Sequence, residues 1–153
     1  MDKTPEKMMQ WLRRILDEKE IDYEVIDAES IRVKWKLYSR IQTIDNTIVA
    51  HEGRFHSFSD IALTAENKIP EVAEFLMRAN WCLDPGHFYL DYDSGEISFE
   101  LFSPYRNHEK DEDFDVLWET PIINFNWFGD GLLKVIFGYA TAKAAYDECC
   151  SDE

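Results

Sequence analysis

Three runs decide the fold of this chain: Phe75-Leu76-Met77-Arg78-Ala79-Asn80, then Gly86-His87-Phe88-Tyr89-Leu90-Asp91, then Asp93-Ser94-Gly95-Glu96-Ile97-Ser98-Phe99-Glu100. Phe75, Leu76 and Ala79, with Val72 before them, fall on one helical face. Asn67-Lys68-Ile69-Pro70 opens that helix, and Asn80 supplies a left-handed stop. Asp84-Pro85-Gly86 turns the chain. Phe88 and Leu90 alternate with Tyr89 and Asp91, and Ile97, Phe99 and Leu101 alternate with Glu96, Ser98 and Glu100. Alternation of this kind marks strands with one buried face. The turn Asp93-Ser94-Gly95 joins them as a hairpin, with Asp93 accepting a local backbone hydrogen bond.

Upstream, Thr4 reads as an N-cap, Pro5 as the first helical residue and Glu6 as an acid at the positive helix end. Met8, Trp11, Leu12, Ile15 and Leu16 then line one face of a helix ending near Lys19. Residues 22–27 form a short strand, and Ala28-Glu29-Ser30 turns it. Ile31, Val33, Trp35 and Leu37 alternate with Arg32, Lys34 and Lys36 in the next strand. Ile41, Ile44, Ile48 and Val49 continue in β-type sequence. A hairpin turn is expected at Glu52-Gly53 in preference to Asp45-Asn46. Phe55, Phe58, Ile61 and Leu63 belong to the returning arm, and the odd Phe55/Phe58 spacing predicts a bulge near Ser57.

Downstream, residues 103–115 (Ser103 to Asp115) read as a polar, charge-dense loop and the best place for a mobile segment. Leu132, Val135, Ile136, Tyr139, Ala142 and Tyr146 fall at helical spacing, predicting a helix over residues 132–149, with Asp130 as its cap. Thr120-Pro121 offers an earlier start with a kink at Gly129 and Gly131; the pattern leaves both open. Helices at the beginning, middle and end, with strands clustered between them and no βαβ rhythm, predict one α+β domain over residues 1–153. Its antiparallel sheet is flanked by the helices.

Asp+Glu number 31 against 16 Lys+Arg, a formal net charge of -15. Nucleic acid and anionic membranes are repelled by such a field and basic partners attracted. No apolar run approaches the roughly 20 residues that cross a bilayer. The opening residues lack the order of a signal peptide, so a cytoplasmic location is expected. Cys82 and the adjacent Cys149 and Cys150 match no zinc or redox spacing, and they read as reduced structural or surface thiols.

Pro70-Glu71, Asn80, Gly86-His87-Phe88-Tyr89-Leu90-Asp91 and Gly95-Glu96-Ile97-Ser98-Phe99 together carry a resemblance. A Pro-Glu helix start, an Asn at its end, a Gly-x-Phe-x-Leu-Asp strand and a Gly-Glu-Ile-x-Phe strand, in this order, resemble the YbjN family of bacterial sensory transduction regulators. The likeness runs from the Met8–Leu16 helix to the terminal helix. It implies the fold of type III secretion chaperones, a protomer with helices on a sheet, dimerisation and binding of another protein chain. It brings no catalytic residue and no cofactor. The chain departs from the family in loop 103–115 and in the Trp- and Phe-rich run that follows.

No Gly-x-Ser-x-Gly elbow, phosphate loop or His-Glu-x-x-His motif occurs. Asp91-x-Asp93-x-Gly95 fails as a calcium loop, because its fifth, sixth and twelfth positions hold Gly95, Glu96 and Phe102. His51 and His56 face apart on a continuous strand; a turn at Glu52-Gly53 would bring them together, yet no third metal ligand is apparent. His87 and His108 read as surface residues. Trp11, Leu12, Trp118, Phe125, Trp127 and Phe128 are first of all core candidates, and secondly the residues that would line a partner groove or dimer seam. The leading expectation is a non-enzymatic module holding a partner polypeptide or a second copy of itself. The alternatives are an acidic inhibitor or immunity-type protein for a basic partner, and a small-ligand binder or enzyme using clustered His and acids.

Overall fold

A computed structural model describes residues 3–151. Helix α1 (Pro5–Glu18) is followed by strands β1 (Glu24–Asp27), β2 (Ser30–Lys36), β3 (Thr43–His51) and β4 (Arg54–Thr64), then by helix α2 (Ile69–Asn80). Strands β5 (His87–Leu90) and β6 (Glu96–Pro104) come next, and helices α3 (Val116–Ile136) and α4 (Ala142–Cys149) complete the order. Every pairing is antiparallel, in the sheet order β1-β2-β3-β4-β6-β5. The fold is α+β, as the strand clustering predicts. Among the described residues no helix is long and apolar enough to cross a membrane.

The helices gather on one side of the sheet: α1 against β3, α3 across β3, β4 and β6, α2 beside β5, and α4 on α2 and α3. Met8, Met9, Leu12, Ile15 and Leu16 of α1 meet an inner sheet face carrying Ile31, Val33, Ile44, Ile48, Phe55, Phe99 and Leu101, all buried. Burying each large side chain contributes about 1.5–3 kcal/mol. This layering leaves the other face of the sheet without a helix.

The inner face also has a polar spot with a specific cause. Pro121 lies inside α3 and has no N–H for the carbonyl four residues back, that of Leu117. The sheet supplies the missing donors. Ser57 Oγ donates to Leu117 O at 2.6 Å, and Asn46 Nδ2 reaches the same oxygen at 3.5 Å. Asn46 Nδ2 also donates to Ser57 Oγ and Ser59 Oγ, each at 2.9 Å.

Several expectations change on contact with the tertiary structure. Register between β3 and β4 runs unbroken from His51↔Arg54 to Asp45↔Asp60, so there is no bulge at Ser57. Phe55 faces inward and Phe58 outward, and the irregularity falls later, between Asp60 and Thr64 against β6. The Glu52-Gly53 turn is the hairpin turn, and Asp45-Asn46 lie within β3. Trp81, not Asn80, caps α2, and it stays right-handed (φ -57°). The Asn80 amide instead pairs with the outer edge of β5: it accepts from Phe88 N at 2.7 Å and donates to Phe88 O at 3.0 Å. A side chain thus satisfies the strand edge that a further strand would otherwise occupy. In the β5–β6 turn it is Asp91, not Asp93, whose carboxylate accepts backbone hydrogen bonds, from Asp93 and Ser94.

Residues 132–149 are two helices, not one. Gly138 takes φ +74°, and Tyr139 N donates to Lys134 O at 2.7 Å, closing α3. Thr141 then caps α4 by accepting from Ala144 N. α3 runs without a break through Gly129 and Gly131, which let neighbours approach. A Cβ at Gly129 would lie 2.6 Å from Ser39 Oγ, and one at Gly131 would lie 2.5 Å from Cys149 Sγ. Asp130 does not cap a helix; its carboxylate accepts from Arg40 N at 2.7 Å. Asn126 one turn earlier accepts from Tyr38 N and Ser39 N, and so α3 holds the β2–β3 connection.

Loop 103–115 contains two short 3-10 turns, Tyr105–Asn107 and Asp111–Asp115, and closes one end of the core. Tyr105, His108 and Phe114 are buried beside Phe55. His108 is therefore an interior group and not a surface one; its Nε2 lies 2.7 Å from Ser103 Oγ. Burial pushes its pKa below the ordinary 6.5, with Asp113 opposing weakly. The unfolded chain then binds the proton that the folded chain refuses. Stability is full above about pH 6.5 and is lost as pH falls through the depressed folded value. Thermal unfolding should show the wild-type Tm dropping more between pH 7.5 and pH 5.5 than the Tm of His108→Gln, which keeps the Ser103 contact without titrating. Equal drops would show that His108 does not govern acid stability.

Candidate functional site

The uncovered face of the sheet is built from the alternate residues of five strands. Ile97, Phe99 and Leu101 of β6 point inward, so Glu96, Ser98, Glu100 and Phe102 point outward. Register then orders the face in rows. Lys34, Asp45, Asp60, Ser98 and Tyr89 form one row; Arg32, Thr47, Phe58, Glu100 and His87 form the next. Val49, His56 and Phe102 form a third, and His51 pairs with Arg54 at the hairpin end.

Rings meet at the centre of this face. His56 stacks on Phe102 with centroids 4.2 Å apart and planes at 9°. Phe58, two residues along the same strand, lies 5.2 Å from His56. The Arg54 guanidinium sits 4.5 Å above the Phe102 ring, a cation–π contact. His56 Nε2 is 3.1 Å from Glu100 Oε1. Burial pulls the His56 pKa down, and Glu100 pulls it back up. Phe102 and Tyr89 are still 47% and 49% exposed.

Glu100 borders the rings, and further acids lie along the same strands. Burial pushes the Asp60 carboxyl upward, and Glu96 and Asp45 push it further, with Arg32 opposing. Lys34 Nζ lies 3.8 Å from Asp45 Oδ1. The face therefore offers an aromatic cluster and a group of acids that its own Arg32 and Lys34 neutralise in part.

The hairpin turn does bring His51 and His56 onto one face, with rings 6.3 Å apart. Among the described residues no group of three or more His, Cys, Asp or Glu side chains could hold a metal ion.

The six residues singled out for partner binding lie elsewhere. Leu12, Trp118, Phe125 and Phe128 face the interior of the chain, so they offer no surface to a partner. Trp118 stacks on Trp35 at 5.7 Å, and Phe125 meets Phe88 at 5.2 Å. Trp11 is half-buried against Tyr105 and Phe114, and its indole donates to Asp111 at 3.2 Å. Trp127 is 42% exposed beside Ile123, at a shallow groove of about 240 Å³ that Leu83 and Pro85 also line. Its indole donates to Cys149 O. The outer-face residues Arg54, His56, Phe58 and Phe102 were legible in part. Phe102 falls at an outward position of a strand whose inward positions are already apolar.

No family model matches the sequence, and no curated protein matches it. Among solved structures, the fold is similar to the crystal structure of YbjN, a candidate transcription regulator from E. coli. The TM-score is 0.53, with 91% of this chain and 89% of that one covered at 12% identity. The chain has a YbjN-like fold.

Proposed function

We propose that this chain is a non-enzymatic protein-binding module, chaperone-like or regulatory, that holds a basic segment of a partner polypeptide on the open face of its sheet. One observation carries the reading: the Arg54–Phe102–His56 stack, with Glu100 at 3.1 Å from His56, lies on a face no helix covers, and Asp45, Asp60 and Glu96 lie further along the same face. The rings offer apolar contact area, and the acids attract Lys or Arg and set orientation. The description of YbjN as a candidate transcription regulator fits such a role. With a net charge of -15, regulation would act through a protein and not through a nucleic-acid backbone.

Selection from a displayed random-peptide library tests this. Enriched peptides should combine apolar residues with Lys or Arg and should bind more weakly as salt rises. Phe102→Asp should weaken them by about tenfold or more, a hot-spot effect. No enrichment, or equal binding by Phe102→Asp, would sink the proposal. A dimer in sedimentation that Phe102→Asp dissociates would assign the face to a second copy instead. The acidic-inhibitor reading predicts a different preference, for folded basic proteins over peptides.

A further inference from the structure

All three cysteines of the chain meet where α2 and α4 end. Cys82 follows α2, Cys149 is the last residue of α4, and Cys150 caps it. Cys82 Sγ lies 3.0 Å from Tyr146 Oη. The Cys150 side chain lies close enough to interact with both Cys82 and Tyr146. Two thiols from positions far apart in sequence thus gather around one phenol. Both residues are exposed and reachable by a soluble reagent. Cys149 differs: its thiol is half-buried and hydrogen-bonded to the backbone of Gly131.

We propose that Cys82 and Cys150 form a dithiol–disulfide site that reacts with small-molecule disulfides such as oxidised glutathione. Both residues lie outside helix interiors, and thiols gathered around one phenol reach the S–S bond length of about 2.0 Å by side-chain rotation and small shifts of the helix ends. Cys82 releases its proton to solvent, and its thiolate attacks one sulfur of oxidised glutathione. The glutathione S–S bond breaks, and one glutathione departs and takes up a proton. Cys150 then loses its proton and attacks the Cys82 sulfur, expelling the second glutathione. Two protein thiols are oxidised and one glutathione disulfide is reduced to two thiols. Tyr146 can donate to the Cys82 thiolate, and partial desolvation keeps the Cys150 thiol above its ordinary pKa, in keeping with Cys82 as the first attacker. The bond ties the end of α2 to the end of α4 and leaves the open sheet face unchanged, so this site stands independently of the proposed binding role.

The test treats the full chain with oxidised glutathione, followed by intact mass and peptide mapping under non-reducing conditions. The expected product is lighter by two hydrogens, links Cys82 to Cys150 within one chain, and exceeds the glutathione adduct by about tenfold, because the second attack is intramolecular. Cys149→Ser should react in the same way. Cys82→Ser and Cys150→Ser should lose the internal link, the latter accumulating the adduct at Cys82. A persistent adduct on the wild type, a link between chains, or a Cys149–Cys150 link would overturn the assignment.

Discussion

Asn46→Ala is expected to lower the unfolding free energy by about 3 kcal/mol, through the loss of a buried polar junction and the opening of a small cavity. Asn46 is fully buried. Its amide donates to Ser57 and Ser59, and its carbonyl accepts from Trp35 Nε1 at 3.4 Å. Truncation leaves Ser59 and Trp35 without those partners. Denaturant unfolding reads the loss as a lower midpoint at unchanged slope. The cause is tested by a double-mutant cycle between Ser57 and Pro121. Ser57→Ala should cost about 2 kcal/mol, since the Leu117 carbonyl then keeps only the long contact to Asn46. In a Pro121→Ala background that carbonyl regains an N–H within α3, and the same Ser57→Ala change should cost less by about 1 kcal/mol. Strict additivity would mean that the serine does not stand in for the proline's missing donor.

Gly86→Ala is expected to cost about 3 kcal/mol and about 10 °C in Tm. Gly86 has φ +81°, a conformation that costs an L-residue about 1–2 kcal/mol. It also lies against β6: an added Cβ would sit 2.7 Å from Glu100 O and 2.9 Å from Leu101 Cβ. A backbone oxygen in a strand cannot step aside, so β5 has to move away from β6. Gly53 separates the two causes. It has φ +79° and nothing within 4 Å of the added carbon. Gly53→Ala should therefore cost only about 1 kcal/mol, the conformational part alone. Equal losses at the two glycines would refute the steric account of Gly86.

Much of the fold was legible because it rests on short-range periodicity. The stripe of α1, the alternation in β2, the Glu52-Gly53 hairpin and the β5–β6 hairpin are each set by neighbours within a few residues. Errors came where one residue type serves two purposes. Gly129 and Gly131 read as breakers, yet they are close contacts with Ser39 and Cys149. Asn80 and Asp130 read as caps, yet their side chains satisfy the backbones of Phe88 and Arg40. Loop 103–115 read as mobile because charge dominates it, while Tyr105, His108 and Phe114 fill the core from inside it.

The site divides the same way. That β6 presents Phe102 outward follows from its alternation. That Phe102 meets His56 and Arg54, and that Asp60 meets Asp45, depends on which strand lies beside which, and α2 and β5 intervene between β4 and β6 in sequence. Apolar character alone pointed to Leu12, Trp118, Phe125 and Phe128, and packing put these inside.

The amino-acid sequence by itself determined the fold class, most of the elements and their inward faces, because those depend on repeat distances of two and 3.6 residues along the chain. Only the tertiary structure decided which face of the sheet stays open, which carbonyl lost its donor, and which thiols gather around Tyr146. Each of these depends on groups far apart in sequence, and no local pattern encodes their separation in space.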